Sequence, residues 1–122
     1  PAEVLEQVCS KLKPGGLIWL AFPSPRSLNL PSADVGCLNF CDDDTHLRVV
    51  DVKDLANVLL DNGIKVIRGG RSYDLVRTVV GCVMLPIELL RKLLTGRMHS
   101  RGLWYILGFE DRIIGQRRGT AS

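Results

Sequence analysis

The sequence has little of several features that would identify a function directly. Its 4 cysteines are too few for a disulfide scaffold, so we expect a reduced, cytoplasmic protein. The net charge of only +3 gives no strong electrostatic case for nucleic acid or a membrane surface as a partner, and we expect no membrane partner. The longest uncharged apolar stretch of the second half, residues 78–87, is far shorter than the roughly 20 residues that span a bilayer, and no secretory signal opens the chain.

What is present is the composition of an ordinary globular domain. With 46% hydrophobic and 24% charged residues in 122, the chain is long enough for one core and too short for two. We therefore predict a single domain over residues 1–122 with a frayed tail at residues 118–122. Because the sequence begins at Pro1 and its first methionine is Met84, we expect either a trimmed initiator or a piece of a longer protein.

Two successive units of a helix followed by a strand are predicted in the first half. Val4, Val8 and Leu12 recur at helical spacing, and Pro-Gly-Gly ends that helix. The unbroken apolar run from Leu17 to Phe22 predicts a strand covered on both faces, as in a parallel α/β sheet. A loop over residues 23–51 separates it from a helix capped by Asp51 and from a second strand at residues 64–68. Loops at strand C-termini carry ligands in open α/β sheets.

The second half continues with helical periodicity over residues 74–94. Pro86 lacks a backbone donor, so we predict two helical pieces divided near that residue. Residues 103–107 are apolar without a period and fit either a short helix or a strand. Ile113 and Ile114 predict a last strand over residues 111–117. The fold class is therefore α/β, with about three strands flanked by helices.

The order of motifs resembles the C-terminal half of a class I S-adenosylmethionine-dependent methyltransferase. The resemblance rests on Leu12-Lys13-Pro14-Gly15-Gly16 before a buried strand, and on Thr45-His46-x-Arg48 before a capped helix that closes at Asn62-Gly63. It implies the fifth, sixth and seventh strands of a Rossmann-like methyltransferase sheet. The seventh strand, residues 108–117, would then lie antiparallel between the other two.

The resemblance also implies what is missing. The first four strands are absent, and with them the glycine-rich loop and the acidic residue that hold the cofactor in that family. Gly69-Gly70 does not open a helix in the required way. S-adenosylmethionine is therefore implied by resemblance only, and we expect no cofactor-binding residues and no cofactor binding by this chain alone.

The candidate functional residues lie on the substrate side that the resemblance implies. They are Pro23, Ser24, His46, Arg48, Trp104 and Tyr105. His46 could orient a substrate or act as a base, although a role in bracing its loop is more common. Arg48 could pair with an acidic substrate group, and the two aromatic residues could form a lid or part of the core. No catalytic residue is assigned.

Other chemistry is open but less favoured. Cys37, Cys41 and His46 offer three of the four ligands of a zinc site, and a Cys41–His46 catalytic pair has no orienting third group, so we predict neither. The acidic run Asp42-Asp43-Asp44 could bind magnesium but is more typical of a solvated turn. A basic cluster could contact nucleic acid, yet we expect it to be the charged side of a helix whose leucines (89, 90, 93 and 94) are buried. That cluster consists of Arg91, Lys92, Arg97, His99 and Arg101.

Functionally, the sequence predicts a fragment or truncated relative of a methyltransferase that supplies its substrate-side half and is inactive as this chain alone. The strand from Leu17 to Phe22 would lack its neighbour on one side, and unpaired strand edges are association sites. We therefore expect a homo-oligomer, or a missing N-terminal half that pairs with this edge. The alternative function is a non-catalytic association module that dimerises, and a small nucleic-acid-binding domain is less favoured still.

Overall fold

The computed structural model describes residues 2–119 and has an α/β architecture, as predicted. Their regular structure consists of four α-helices, three β-strands and two short 3₁₀ turns. The elements used below are α1 (Ala2–Lys11), β1 (Leu17–Pro23), α2 (Val52–Asp61), β2 (Ile64–Arg71), α3 (Leu75–Thr95), α4 (Trp104–Leu107) and β3 (Glu110–Arg117), with short 3₁₀ turns at Pro25–Asn29 and Phe40–Asp42.

The three strands form one sheet in the order β1-β3-β2. The amide of Gly15 donates to the carbonyl of Arg117 at 3.0 Å, and the amide of Ser24 donates to that of Phe109, so β1 and β3 run antiparallel. At the other side the amide of Arg118 donates to the carbonyl of Gly63 at 3.2 Å and the amide of Ser72 donates to that of Glu110 at 3.0 Å, so β3 is antiparallel to β2 as well. The predicted insertion of an antiparallel last strand between two strands of common direction is confirmed, and β1 is an outer strand.

The described residues divide into two compact units. We call residues 2–22, 50–70 and 111–119 the sheet unit, and residues 23–49 and 71–110 the loop-helix unit. The sheet unit holds α1, α2 and most of the three strands, whereas the loop-helix unit holds both 3₁₀ turns, α3 and α4. The one-domain prediction stays a prediction.

The sheet unit buries a single apolar cluster on one face of its sheet. The residues at its centre come from all five of its elements: Leu5, Cys9, Ile18, Leu59, Ile64 and Ile113. On the opposite face Leu17, Trp19 and Ile67 are 64%, 58% and 54% exposed. The prediction that β1 is covered on both faces was wrong for this chain, because both helices of the unit pack against the same side of the sheet.

The local signals that delimit α2 act as predicted. The side chain of Asp51 accepts a hydrogen bond from the amide of Lys53 at 2.8 Å and so satisfies a donor of the first turn. Asn62 caps the other end, and Gly63 follows with a φ of 74°, a conformation that favours glycine. The helix therefore begins and ends at the predicted residues.

The predicted division of α3 at Pro86 was wrong. The helix runs unbroken for 21 residues, from its cap at Asp74 to Gly96, whose φ is 72°. A proline costs the helix one backbone hydrogen bond, here to the carbonyl of Cys82. Both Pro86 and Cys82 are exposed, so solvent can reach this part of the helix backbone. None of the helices within residues 2–119 is long and apolar enough to cross a membrane.

Two further predictions concern the ends of the second half. The ambiguous segment at residues 103–107 contains the short helix α4, which ends at Gly108 with a φ of 74°. Of the predicted frayed tail, Arg118 and Gly119 have no regular structure, although the amide of Arg118 is hydrogen-bonded to Gly63. Residues 120–122 of that tail lie outside the described residues.

Candidate functional site

Three of the predicted site residues contact one buried aromatic residue, Phe109, which is 3% exposed. The amide of Ser24 donates to the carbonyl of Phe109 at 2.6 Å. Trp104 stacks on the Phe109 ring with centroids 4.7 Å apart, and the imidazole of His46 lies 6.2 Å from it. This role of Phe109 could not be predicted from the sequence, because the residue lies in a segment interpreted only as the start of a strand.

Ser24 is fully buried and its polar groups are engaged in the loop itself. Its Oγ accepts from the amide of Arg26 at 3.2 Å and caps the turn Pro25–Asn29. Its carbonyl accepts from both the amide and the hydroxyl of Ser27, at 2.8 and 2.6 Å. Ser24 therefore shapes the loop that leaves β1, and the half-buried Pro23 at the end of β1 contributes a rigid entry to it.

His46 is held by a backbone carbonyl. Its Nδ1 lies 3.0 Å from the carbonyl oxygen of Phe40, so Nδ1 is the nitrogen that carries a proton in the neutral ring. Nε2 then keeps its lone pair, and it lies 3.9 Å from a carboxylate oxygen of Asp43. The Phe40 ring packs 5.1 Å away. This arrangement fixes the ring and leaves Nε2 as the only nitrogen able to accept a proton.

Two carboxylates of the acidic run, those of Asp42 and Asp43, accept hydrogen bonds from residues of their own loop. Asp42 Oδ2 accepts from the amides of Ala33, Leu38 and Asn39 at 3.0, 2.8 and 2.8 Å. Burial would raise the pKa of Asp42, but these backbone donors outweigh it and lower the pKa. Asp43 accepts from the hydroxyl and amide of Thr45, which lower its pKa in the same way. Asp42 thus organises the loop as an anchor.

The cysteines do not assemble with His46. Cys37 Sγ donates weakly to the carbonyl of Asn39 at 3.4 Å, and burial, together with Asp42 and Asp43, raises the pKa of this thiol. A thiol with a raised pKa is a poorer nucleophile and a poorer metal ligand. Cys41 is exposed, and within residues 2–119 no group of three or more His, Cys, Asp or Glu side chains could hold a metal ion.

Trp104 and Tyr105 line an open cavity of about 340 Å³ in the loop-helix unit. Its polar lining comes from Arg77, Ser100 and Arg101, none of which the sequence assigned to a substrate site. Arg77 Nη1 donates to the Tyr105 hydroxyl at 2.9 Å, and the guanidinium carbon lies 5.4 Å from the centre of the Tyr105 ring. Two guanidinium groups beside two aromatic rings suit a small molecule that carries an anionic group.

The short helix that carries these aromatic residues is fixed at both ends. Arg71 Nη2 donates to the carbonyls of Tyr105 and Ile106, at 2.7 Å for Tyr105. Trp104 Nε1 donates to the carbonyl of Cys37 at 2.5 Å. Both predicted lid residues are thereby held in place at the cavity wall, and Trp104 is 36% exposed.

Arg48 is the predicted site residue that the structure leaves apart. Its side chain is exposed and makes no hydrogen bond or ion pair with the described residues, whereas His46 two residues earlier is half-buried. The basic cluster is also dispersed: Arg91 is paired with Glu88 at 3.0 Å, Lys92, Arg97 and Arg101 are exposed, and His99 Nδ1 is buried.

No known family model matches this chain, and a search of the curated proteins finds no relative of it.

Proposed function

We propose that this chain supplies the substrate-side half of an S-adenosylmethionine-dependent methyltransferase fold. The single observation that carries the proposal is the strand order β1-β3-β2 with β3 antiparallel to both neighbours. That order is uncommon for a simple series of helix-strand units, and it is the order that the resemblance implies. The proposal is also supported by the turn at Pro14-Gly15-Gly16, which precedes β1, and by the loop with His46, which precedes α2.

The substrate side in this proposal is the cavity beside Trp104 and Tyr105 together with the cluster around Phe109. The guanidinium groups of Arg77 and Arg101 would pair with an anionic group of the methyl acceptor, and the rings would hold its apolar part. Methyl transfer depends chiefly on the alignment of acceptor and methyl donor, so residues that fix orientation contribute more than an acid or a base. His46 Nε2 is the group available to receive the acceptor's proton.

The described residues do not fit S-adenosylmethionine by themselves. Gly69 and Gly70 lie inside β2, and the chain then continues through Arg71 to a helix that begins only after Asp74. No glycine-rich turn in residues 2–119 presents its amides at the start of a helix for the cofactor. We therefore derive no step through the cofactor, and the proposal places its binding on a second half of the sheet.

That second half would pair with the outer edge of β1. The strand has no neighbour on that side among the described residues, and its apolar residues Leu17 and Trp19 are exposed on the uncovered face. Such an edge is a template for another strand, supplied by a separate N-terminal half or by a second cytoplasmic copy of this chain. A non-catalytic module that dimerises at β1 is the runner-up function, supported by the same edge.

Ligand-dependent thermal unfolding tests the proposal directly. We expect no rise in the Tm of this chain with millimolar S-adenosylmethionine, because a ligand stabilises only a fold that binds it. A saturable rise would contradict the proposal and make the chain self-sufficient. The complementary measurement extends the chain with any coding sequence found in frame upstream of Pro1. A longer chain whose Tm rises with S-adenosylmethionine supports the methyltransferase, whereas one without that response leaves the dimerising module as the better account.

Sedimentation with a matched pair of variants tests the association. Trp19→Lys places a charge on β1, and Ile67→Lys places the same charge on β2, the other outer strand, at a side chain of nearly equal exposure. We expect the unaltered chain to sediment as a dimer or larger species at micromolar concentration and Trp19→Lys alone to shift it to monomer. A monomeric unaltered chain, or equal effects of both variants, would argue against pairing through β1.

A further inference from the structure

Helix α3 is amphipathic in the reverse of the usual sense. At 100° per residue, 12 of its residues fall within an arc of roughly 180° that contains no charged or hydroxyl side chain. Every one of the 12 is exposed: Leu75, Val76, Val79, Val80, Cys82, Val83, Pro86, Ile87, Leu89, Leu90, Leu93 and Leu94. The expectation that the leucines at positions 89, 90, 93 and 94 are buried was therefore wrong, and they are between 49% and 84% exposed.

The opposite half of α3 is the side that faces its own protein. Gly81 and Glu88 are the buried residues of the helix. Gly81 lies so close to α4 that an added Cβ would meet the Gly102 carbonyl oxygen at 2.2 Å. Glu88 is fully buried and accepts two hydrogen bonds from Arg91, at 3.0 and 3.2 Å. The helix is thus anchored by Gly81, Glu88 and the half-buried Leu85, which packs against the cluster of Leu38, Met98 and Leu103, and its apolar half is left uncovered by residues 2–119.

The charges beside this uncovered half, which we call the α3 apolar face, are of one sign. Val80 and Leu89 mark the two borders of the arc. Arg91 lies about 20° beyond Val80, Arg77 about 60° beyond Val80 and Lys92 about 60° beyond Leu89, and Arg97 and Arg101 follow the helix. Residues 74–101 contain two acids: Asp74 hydrogen-bonds the first turn of α3, and Glu88 is buried against Arg91. A broad apolar arc on a helix whose exposed charges are cationic has the chemistry of a helix that lies flat at an anionic bilayer surface.

We propose that the α3 apolar face docks onto the surface of an anionic lipid bilayer, with the helix axis in the membrane plane. The long cationic side chains of the other half of α3 and of the residues that follow it reach the headgroups, while the leucines occupy the boundary with the acyl chains. A second copy of this chain fits the face less well, because it brings an equal set of cations towards those of the first copy. A two-helix seam also needs a narrower stripe than half of the helix surface.

Vesicle co-sedimentation with the full chain tests this proposal. We expect binding to phosphatidylcholine vesicles in which about a third of the lipid is phosphatidylserine, and much weaker binding to phosphatidylcholine alone. Leu93→Asp should weaken binding by about tenfold or more, since it replaces apolar contact with a charge. Its matched control is Leu47→Asp, because Leu47 is 87% exposed in the loop and Leu93 is 84% exposed on α3. Circular dichroism of both variants verifies that the helices persist.

A second pair of variants isolates the electrostatic contribution to vesicle binding. Lys92→Glu should lower binding to the anionic vesicles severalfold and make the binding less dependent on salt concentration. The control is Lys13→Glu, an equal charge change on an exposed residue of the sheet unit, which should change neither quantity. The proposal is overturned if the chain does not bind anionic vesicles, or if the Leu93→Asp variant binds them as well as the Leu47→Asp variant does. A self-association that Leu93→Asp abolishes without vesicle binding assigns the face to a second copy instead.

Discussion

The sheet unit and the loop-helix unit use apolar residues in opposite ways. In the sheet unit Leu5, Leu59, Ile64 and Ile113 meet in one cluster between two helices and a sheet face. The buried apolar cluster of the loop-helix unit has only Leu38, Met98 and Leu103 at its centre, while the longest helix of the chain exposes its leucines. The comparison shows that similar apolar content supports a core in one region and an uncovered surface in the other.

Polar bonds compensate in part for the small core of the loop-helix unit. Asp42 accepts hydrogen bonds from three backbone amides of the long loop, and Arg71 donates hydrogen bonds to two carbonyls of α4. Asn39 adds a donor to the carbonyl of Leu30. Hydrogen bonds of this kind contribute about 0.5–1.5 kcal/mol each, or somewhat more with a charged partner, so each is worth less than one large buried side chain.

The largest effect is expected in the core of the sheet unit. Leu59→Ala removes a fully buried side chain and should lower the free energy of unfolding by about 2–5 kcal/mol, measured by urea denaturation. Leu60→Ala is the control, because the neighbouring side chain on the same helix is 47% exposed and should cost well under half as much. Equal losses for the two variants would show that the apolar cluster does not dominate the stability of this unit.

A smaller effect is expected where α3 packs on α4. Gly81→Ala places a Cβ against the Gly102 carbonyl oxygen and the Ile106 side chain, and the resulting displacement should cost about 1–3 kcal/mol. Hydrogen exchange of the amides in residues 100–108 should accelerate with it. Cys82→Ala, at the exposed next position of the helix, should leave both measurements nearly unchanged. A Gly81→Ala chain as stable as the Cys82→Ala chain contradicts the close approach of the two helices.

The smallest effect concerns the polar anchor and depends on pH. Because backbone donors lower the pKa of Asp42 below its ordinary 3.8, its contribution is complete above that pH and is lost as the pH falls through the lower folded pKa. Asp42→Asn should cost about 1 kcal/mol at neutral pH and remove this part of the acid dependence. Asp44→Asn, at an exposed residue of the same run, should keep the unaltered chain's profile. If stability depends on acid pH identically in Asp42→Asn and in the unaltered chain, the Asp42 carboxylate does not stabilise the loop.

Most of the fold was predictable because its signals are local. The cap at Asp51, the glycines that end α2 and α3, and the apolar runs of the three strands each act within a few residues. The order of the strands came from the resemblance, since no local signal specifies which strands pair. The unbroken α3 was missed because the cost of Pro86 is one hydrogen bond, which a long exposed helix tolerates.

The candidate site was predictable only in part, because it forms between segments far apart in sequence. His46, Trp104 and Tyr105 were found from their residue types, and the structure places His46 and Trp104 against Phe109. Arg77 and Phe109 were missed, since nothing in their own neighbourhoods indicates that they meet the predicted residues. Helical periodicity likewise showed that the leucines of α3 share a face, but it contains no information on whether that face is covered.

The placement of the two tryptophans gives each unit its own optical reporter. Trp19, in the sheet unit, is 58% exposed with the Arg112 guanidinium 5.9 Å from its ring centre. Trp104, in the loop-helix unit, is stacked on Phe109 and hydrogen-bonded to Cys37. Replacing either indole with phenylalanine leaves a single emitter, so fluorescence from the other follows one unit alone. The order in which the two units lose structure can therefore be observed in real time with the chain's own chromophores.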